Sequence, residues 1–252
     1  MDEPSETPRA FSPVGFVLSL LGIALWSALF FALGLAAIFA GDVALHGVDH
    51  ALGLAKLVTG ERMPGREAVR DALILSIGCL VYVALMAGIF VMARLREGLR
   101  WRLSVAWLPG SSWRPFWGLL GLAFAYGVGA SLALSQLPSG TRSGFSMPDS
   151  AAAVFLSLVL IVVLAPIAEE MLFRGWIFTG LRRFGFGLAL WVSATLFALA
   201  HWGGSVFYSL AILPIGLILG VLRERTGSVF TTSAFHALYN FAMWGLTFLG
   251  KV

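Results

Sequence analysis

Cysteine is almost missing from this 252-residue chain, where Cys79 stands alone. One thiol excludes a disulfide framework and every paired-cysteine zinc or redox motif; within its apolar run Cys79 reads as a small buried side chain. Charge is scarce too, at 12% of residues against about 25% in soluble domains. Hydrophobic residues make up 59% and the mean hydropathy is +0.89. So little polar surface could not cover a single soluble core, which excludes a water-soluble globule. No internal repeat, heptad run or low-complexity tract is found, and no HExxH helix. The net charge of +4 does not signal a nucleic-acid partner. Most basic residues are arginines at the ends of apolar runs, where membrane topology accounts for them.

What the chain has instead is long apolar runs. About 20 such residues cross roughly 30 Å of hydrocarbon. Spans are expected at Val14–Ala40, Ala72–Ala93, Phe116–Leu137, Ala151–Leu181, Gly187–Trp202, Val206–Leu222 and Ser228–Leu249. The fold expected is therefore all-α, a polytopic transmembrane helical bundle. Residues 1–13 are polar and acidic, unlike a cleavable signal, and are expected to form a cytoplasmic tail. Residues 14–252 are expected to form one transmembrane domain.

Lysine and arginine set the orientation. An inside N-terminus puts Arg9, Arg94, Arg96, Arg100, Arg102, Arg114, Arg174, Arg182, Arg183, Arg223 and Arg225 on the inner side. Lys56, Arg62, Arg66, Arg70, Arg142 and Lys251 then fall outside. Eleven against six favours a cytoplasmic N-terminus. With no targeting signal, a bacterial inner (plasma) membrane fits. The long first outer loop, Gly41 to Asp71, mixes charges with apolar residues and is read as an amphipathic helix in the interface. Its His46, Asp49 and His50 have helical spacing that could bind a metal, but with no further ligand apparent they are read as a solvated interfacial face. Gly216 and Gly220 form a GxxxG, read as close packing within the bundle, with a homodimer seam as the alternative.

Glu169, Glu170 and Arg174 lie inside the apolar stretch VLAPIAEEMLFRGWIFTGL. Each charge at a helix centre costs about 2.5–3.5 kcal/mol on insertion scales, so compensation is required. Glu170 and Arg174, at i,i+4, share a face and neutralise one another. Glu169 points about 100° away and needs a partner on another helix. His201, His236 and Asn240 are the candidates. At 1.5 Å per residue, Glu169 lies about 20 Å from Arg182 and His201 about 21 Å from Gly187. His236 and Asn240 lie about 14 and 20 Å from Gly227. All four fall at similar depth, which supports one shared site. Pro166, just before the glutamates, removes a backbone donor and predicts a kink or tilt in a helix too long for the membrane.

The segments EEMLFR (Glu169–Arg174), FALAH (Phe197–His201) and HALYN (His236–Asn240) resemble, in order, the EExxxR, FxxxH and HxxxN motifs of the CPBP family. That family comprises the type II CAAX prenyl proteases and bacteriocin-processing enzymes, also called Abi. The resemblance covers 169–240. It implies a bundle of about eight helices, hence seven to eight here, with the site on the fourth, fifth and seventh predicted helices and a catalytic core at about 151–249. It implies an intramembrane endopeptidase acting on a membrane-associated protein or peptide. In that reading Glu169 and His201 activate water, His236 and Asn240 stabilise the oxyanion, and Glu170 with Arg174 support them. Some members of the family are labelled metalloproteases, and the resemblance also supports a metal-free glutamate mechanism. With no HExxH helix, and one glutamate ill-suited to be both ligand and base, metal-free is favoured; a zinc alternative would use Glu169, His201 and His236. Two other classes stay open: a non-catalytic scaffold or immunity-type factor, and a proton-coupled transporter, for which no inverted repeat is found.

Overall fold

A computed structural model describes residues 12–59, 65–112, 114–137, 148–202 and 205–250. Residues 1–11 of the expected tail, and Arg62, Arg142 and Lys251, lie outside the described residues. Eight main helices carry the fold. α1 is Pro13–His46, α2 Val48–Val58, α3 Glu67–Glu97 and α4 Arg114–Ser135. α5 is the continuous helical stretch Ala151–Phe184, α6 Phe186–Ala200, α7 Val206–Thr226 and α8 Val229–Phe248. All seven expected spans are present as helices, and five are long and apolar enough to cross a membrane by themselves. The chain is an integral, multi-pass membrane protein.

α1 starts where sequence chemistry starts it. The Ser12 hydroxyl accepts the Gly15 N–H at 2.9 Å, and Pro13 occupies a first-turn position that needs no donor. The helix then runs six residues past its expected end, to about 51 Å. Gly47, at φ +89°, breaks it, and α2 follows as a helix within the segment expected to hold one, shorter than that segment. α1 is apolar all round and packs on α3. Gly88 lets the two backbones touch, since a Cβ there would lie 2.8 Å from the Ile23 carbonyl oxygen.

α5 answers Pro166 with widened turns. Val159–Leu164 and Met171–Phe178 are π-helical, flanking the α-helical turn that carries Glu169 and Glu170. The Ala165 N–H reaches back five residues to the Leu160 carbonyl. Pro166 has no N–H with which to continue that register to Ile161. Asn240 fills the gap, donating from Nδ2 to the Ile161 carbonyl at 2.9 Å. Such π-turns recur at functional sites.

α6 and α7 pack tightly through the GxxxG. A Cβ on Gly216 would sit 3.2 Å from Ala194 Cα, Cβ and carbonyl oxygen, and Gly220 faces Leu190. The pair therefore serves a contact within this chain. α8 is capped by the segment that follows α3. Ser228 accepts the Thr231 N–H at 3.0 Å and donates to the Leu108 carbonyl, and the Val229 N–H bonds Ala106 at 2.9 Å. That segment also lies against α5, where Gly175 admits the Val105 backbone.

Candidate active site

Glu169 and Glu170 end the α-helical turn of α5 and, as neighbours, point to different sides of it. Both are buried, at 6% and 0% exposure. Each gathers its own set of partners.

Glu170 belongs to a buried network joined through its Oε1, while its Oε2 and Arg174 Nε are buried without a hydrogen bond. Its Oε1 accepts from the Arg174 guanidinium at 2.8 Å and from His236 Nδ1 at 3.2 Å. Arg174 donates its other terminal nitrogen to the Gly216 carbonyl at 2.8 Å, and its Cζ lies 4.4 Å over the Phe197 ring. Arg174 is fully buried. The guanidinium fork thus meets a carboxylate, a carbonyl and an aromatic face together, a combination that a lysine ammonium could not reproduce.

Glu169 has an open side. The Tyr82 hydroxyl, from α3, donates to its Oε1 at 2.5 Å, in the range of charge-assisted bonds. Its Oε2 is buried and receives no hydrogen bond. That oxygen lies 3.6 Å from His201 Nε2, too far for a direct bond. The His201 tautomer follows from its other nitrogen. Nδ1 stands 2.8 Å from the Phe197 carbonyl, which can only accept, so Nδ1 carries the hydrogen. In the neutral ring, Nε2 then presents a lone pair. Two acceptors facing each other at this spacing suit a donor seated beside both, such as a water molecule.

Helix endings create this opening. α6 has 15 residues, about 22 Å, and stops short of a full crossing. His201 lies just past its last turn, at φ −95° and ψ 24°, and its ring caps the Phe197 carbonyl. The side chain keeps 24% exposure where Glu169 keeps 8%. Phe197, buried at 1%, separates the two glutamate networks, with ring centroids 4.5 Å from His201 and 5.6 Å from His236.

The sequence-derived residues therefore meet as adjoining sets. Glu169 meets His201, Glu170 meets His236 and Arg174, and Asn240 meets the Ile161 carbonyl. Tyr82 was missed by sequence reasoning. It sits in the unbroken apolar run of α3, outside the three motifs, where a tyrosine carries no pattern of its own. A zinc set of Glu169, His201 and His236 is not drawn together here. Among the described residues, the group whose three ligand atoms lie within 4.8 Å of one another is Asp42, His46 and His50.

Fold and site define a class: a multi-pass helical membrane protein with an ionisable centre enclosed by its own helices. The comparisons with known proteins carry this further. Residues 151–242 match the family model described as Type II CAAX prenyl endopeptidase Rce1-like. An Escherichia coli protein named "Uncharacterized 24.3 kDa protein" is 32% identical over 164 residues, which cover 62% of this chain and 68% of that relative. No solved structure matches the chain. The chain belongs to the Rce1-like type II CAAX prenyl endopeptidase family. Every motif residue from Glu169 to Asn240 lies within the matched segment, whereas Tyr82 lies outside it.

Proposed function

We propose that this protein is an intramembrane endopeptidase that hydrolyses a peptide bond in a membrane-associated protein or peptide. The observation that carries the reading is the buried, donor-free Oε2 of Glu169 facing the His201 Nε2 lone pair at 3.6 Å. A water held there hydrogen-bonds to both. Glu169 takes one of its protons as the oxygen attacks the scissile carbonyl carbon, and later returns that proton to the leaving amine. General-base assistance of this kind contributes typically ~10²–10⁴ in rate. Tyr82 fixes the carboxylate so that Oε2, not Oε1, meets the water.

His236 and Asn240 serve as oxyanion donors. His236 gives its Nδ1 hydrogen to Glu170, and the oxyanion role falls to its Nε2. Asn240 has two N–H donors, and Ile161 takes one of them. One such donor is worth ~10²–10³ in kcat. The orientation in this reading puts the N-terminus in the cytoplasm of a bacterium. A prenylated tail, a bacteriocin leader and a sorting tail are the substrate classes to be compared.

A scaffold reading draws support from a separate fact: Glu170, Arg174, His236 and Asn240 all have partners within the fold. One experiment separates the two. Membrane proteomes of cells carrying wild type and Glu169→Gln are compared. The protease reading expects an uncut precursor only in the variant. Identical proteomes, with the variant protein present at normal level, would favour the scaffold.

A further inference from the structure

The chain has four histidines, and the two outside the motifs meet on one carboxylate. Asp42 Oδ1 lies 2.9 Å from His46 Nδ1, and Asp42 Oδ2 lies 2.9 Å from His50 Nδ1. The imidazole centroids are 4.8 Å apart. Asp42 and His46 stand one turn apart near the end of α1, whereas His50 belongs to α2. The helix break at Gly47, with its positive φ, swings His50 back to the same carboxylate. On an unbroken helix, eight residues would place it about 12 Å further along the axis. Asp49, which sequence spacing grouped with the histidines, is not part of the cluster.

From this geometry we infer a binding site for one divalent transition-metal ion, zinc by ligand type, formed by Asp42, His46 and His50. Two imidazoles and a carboxylate form a borderline-soft donor set that favours zinc over calcium or magnesium. Tetrahedral ligands about 2.0–2.1 Å from zinc lie roughly 3.3 Å from one another. The 2.9 Å nitrogen–oxygen spacings would open by a few tenths of an ångström, while the ligand atoms, all within 4.8 Å of one another, draw in toward that distance. Access is direct, because α1 outruns the hydrocarbon core and the imidazoles are 54% and 42% exposed. The ion would clip α2 to the end of α1, across the one glycine that lets the chain turn.

The test uses the full chain purified in detergent and stripped by chelator. Zinc is titrated calorimetrically and cobalt by its visible absorption. The site predicts one equivalent per chain and a tetrahedral cobalt spectrum. His46→Ala/His50→Ala should abolish both, and Asp42→Asn should weaken binding at least ~10-fold. Gly47→Ala, which keeps all three ligands but strains the turn, should weaken it as well. Glu169→Gln should bind as wild type does. No stoichiometric binding, or binding unchanged in the double-histidine variant, would overturn the site. So would binding lost in Glu169→Gln, which would move the metal to the other centre.

Discussion

Replacing Glu170 by glutamine would preserve its shape and strand a charge. Arg174 is fully buried and has three partners: the Glu170 carboxylate, the Gly216 carbonyl and the Phe197 ring. Of these only Glu170 is anionic, and the nearby Glu169 carboxylate attracts Arg174 less strongly than Glu170 does. Breaking a buried pair from one side typically costs about 3–5 kcal/mol, because the remaining charge is not solvated and has lost its nearest counter-charge. That shifts the folding equilibrium by roughly two to four orders of magnitude. Adding Arg174→Met removes the stranded charge and fills much of the same volume, so the double variant should recover at least about half of the loss. Unfolding in mixed detergent micelles, followed by fluorescence of the nine tryptophans, measures all four corners of the cycle. A Glu170→Gln variant within about 1 kcal/mol of wild type would refute the reasoning. A double variant as unstable as the sum of the single ones would refute it too.

Tyr82→Phe should fold normally and lose ~10–100-fold in turnover of the accumulating precursor, the equivalent of one hydrogen bond to a charged group at about 1.5–3 kcal/mol; an unchanged rate would show the phenol to be idle. Asn240→Ala should destabilise by about 1–3 kcal/mol by leaving the Ile161 carbonyl without a donor. Adding Pro166→Ala supplies the missing N–H and should restore part of that, whereas simple additivity would contradict the assigned role. Gly216→Val should cost at least about 1–3 kcal/mol in thermal denaturation, because the atoms it meets on Ala194 include backbone that cannot step aside.

The bundle could be read from the sequence because lipid makes the signal coarse and strong. A long apolar run needs no partner to declare itself, and the seven runs expected to span became seven helices, five of them long and apolar enough to cross alone. Glu170 and Arg174 were just as readable, since an i,i+4 pair lies on one helix and geometry alone joins it. The π-turns of α5 were only half visible. Pro166 announces a missing hydrogen bond, but not that the chain widens there or that Asn240 replaces the donor. Which glutamate meets which histidine was hidden as well, because helix rotation about its axis is set by packing at distant contacts such as Gly216 on Ala194. Tyr82 could have been found by the depth argument applied to the histidines. It lies about 22 Å from the start of α3, and Glu169 about 27 Å from the start of α5. Both helices run in the same direction through the bilayer, so the two side chains belong at nearly one level. The regrouping of Asp42 with His46 and His50 had no comparable signal, as it depends on the backbone angle of a single glycine.

The most direct measurement follows hydrolysis of the accumulating precursor by purified protein in ¹⁸O-labelled water. Wild type should release a product with one ¹⁸O in its new carboxyl group. Glu169→Gln and His201→Ala should each lower the rate at least ~100-fold while melting near wild type. Full-rate cleavage by Glu169→Gln would contradict the assignment of this carboxylate as the base that activates water.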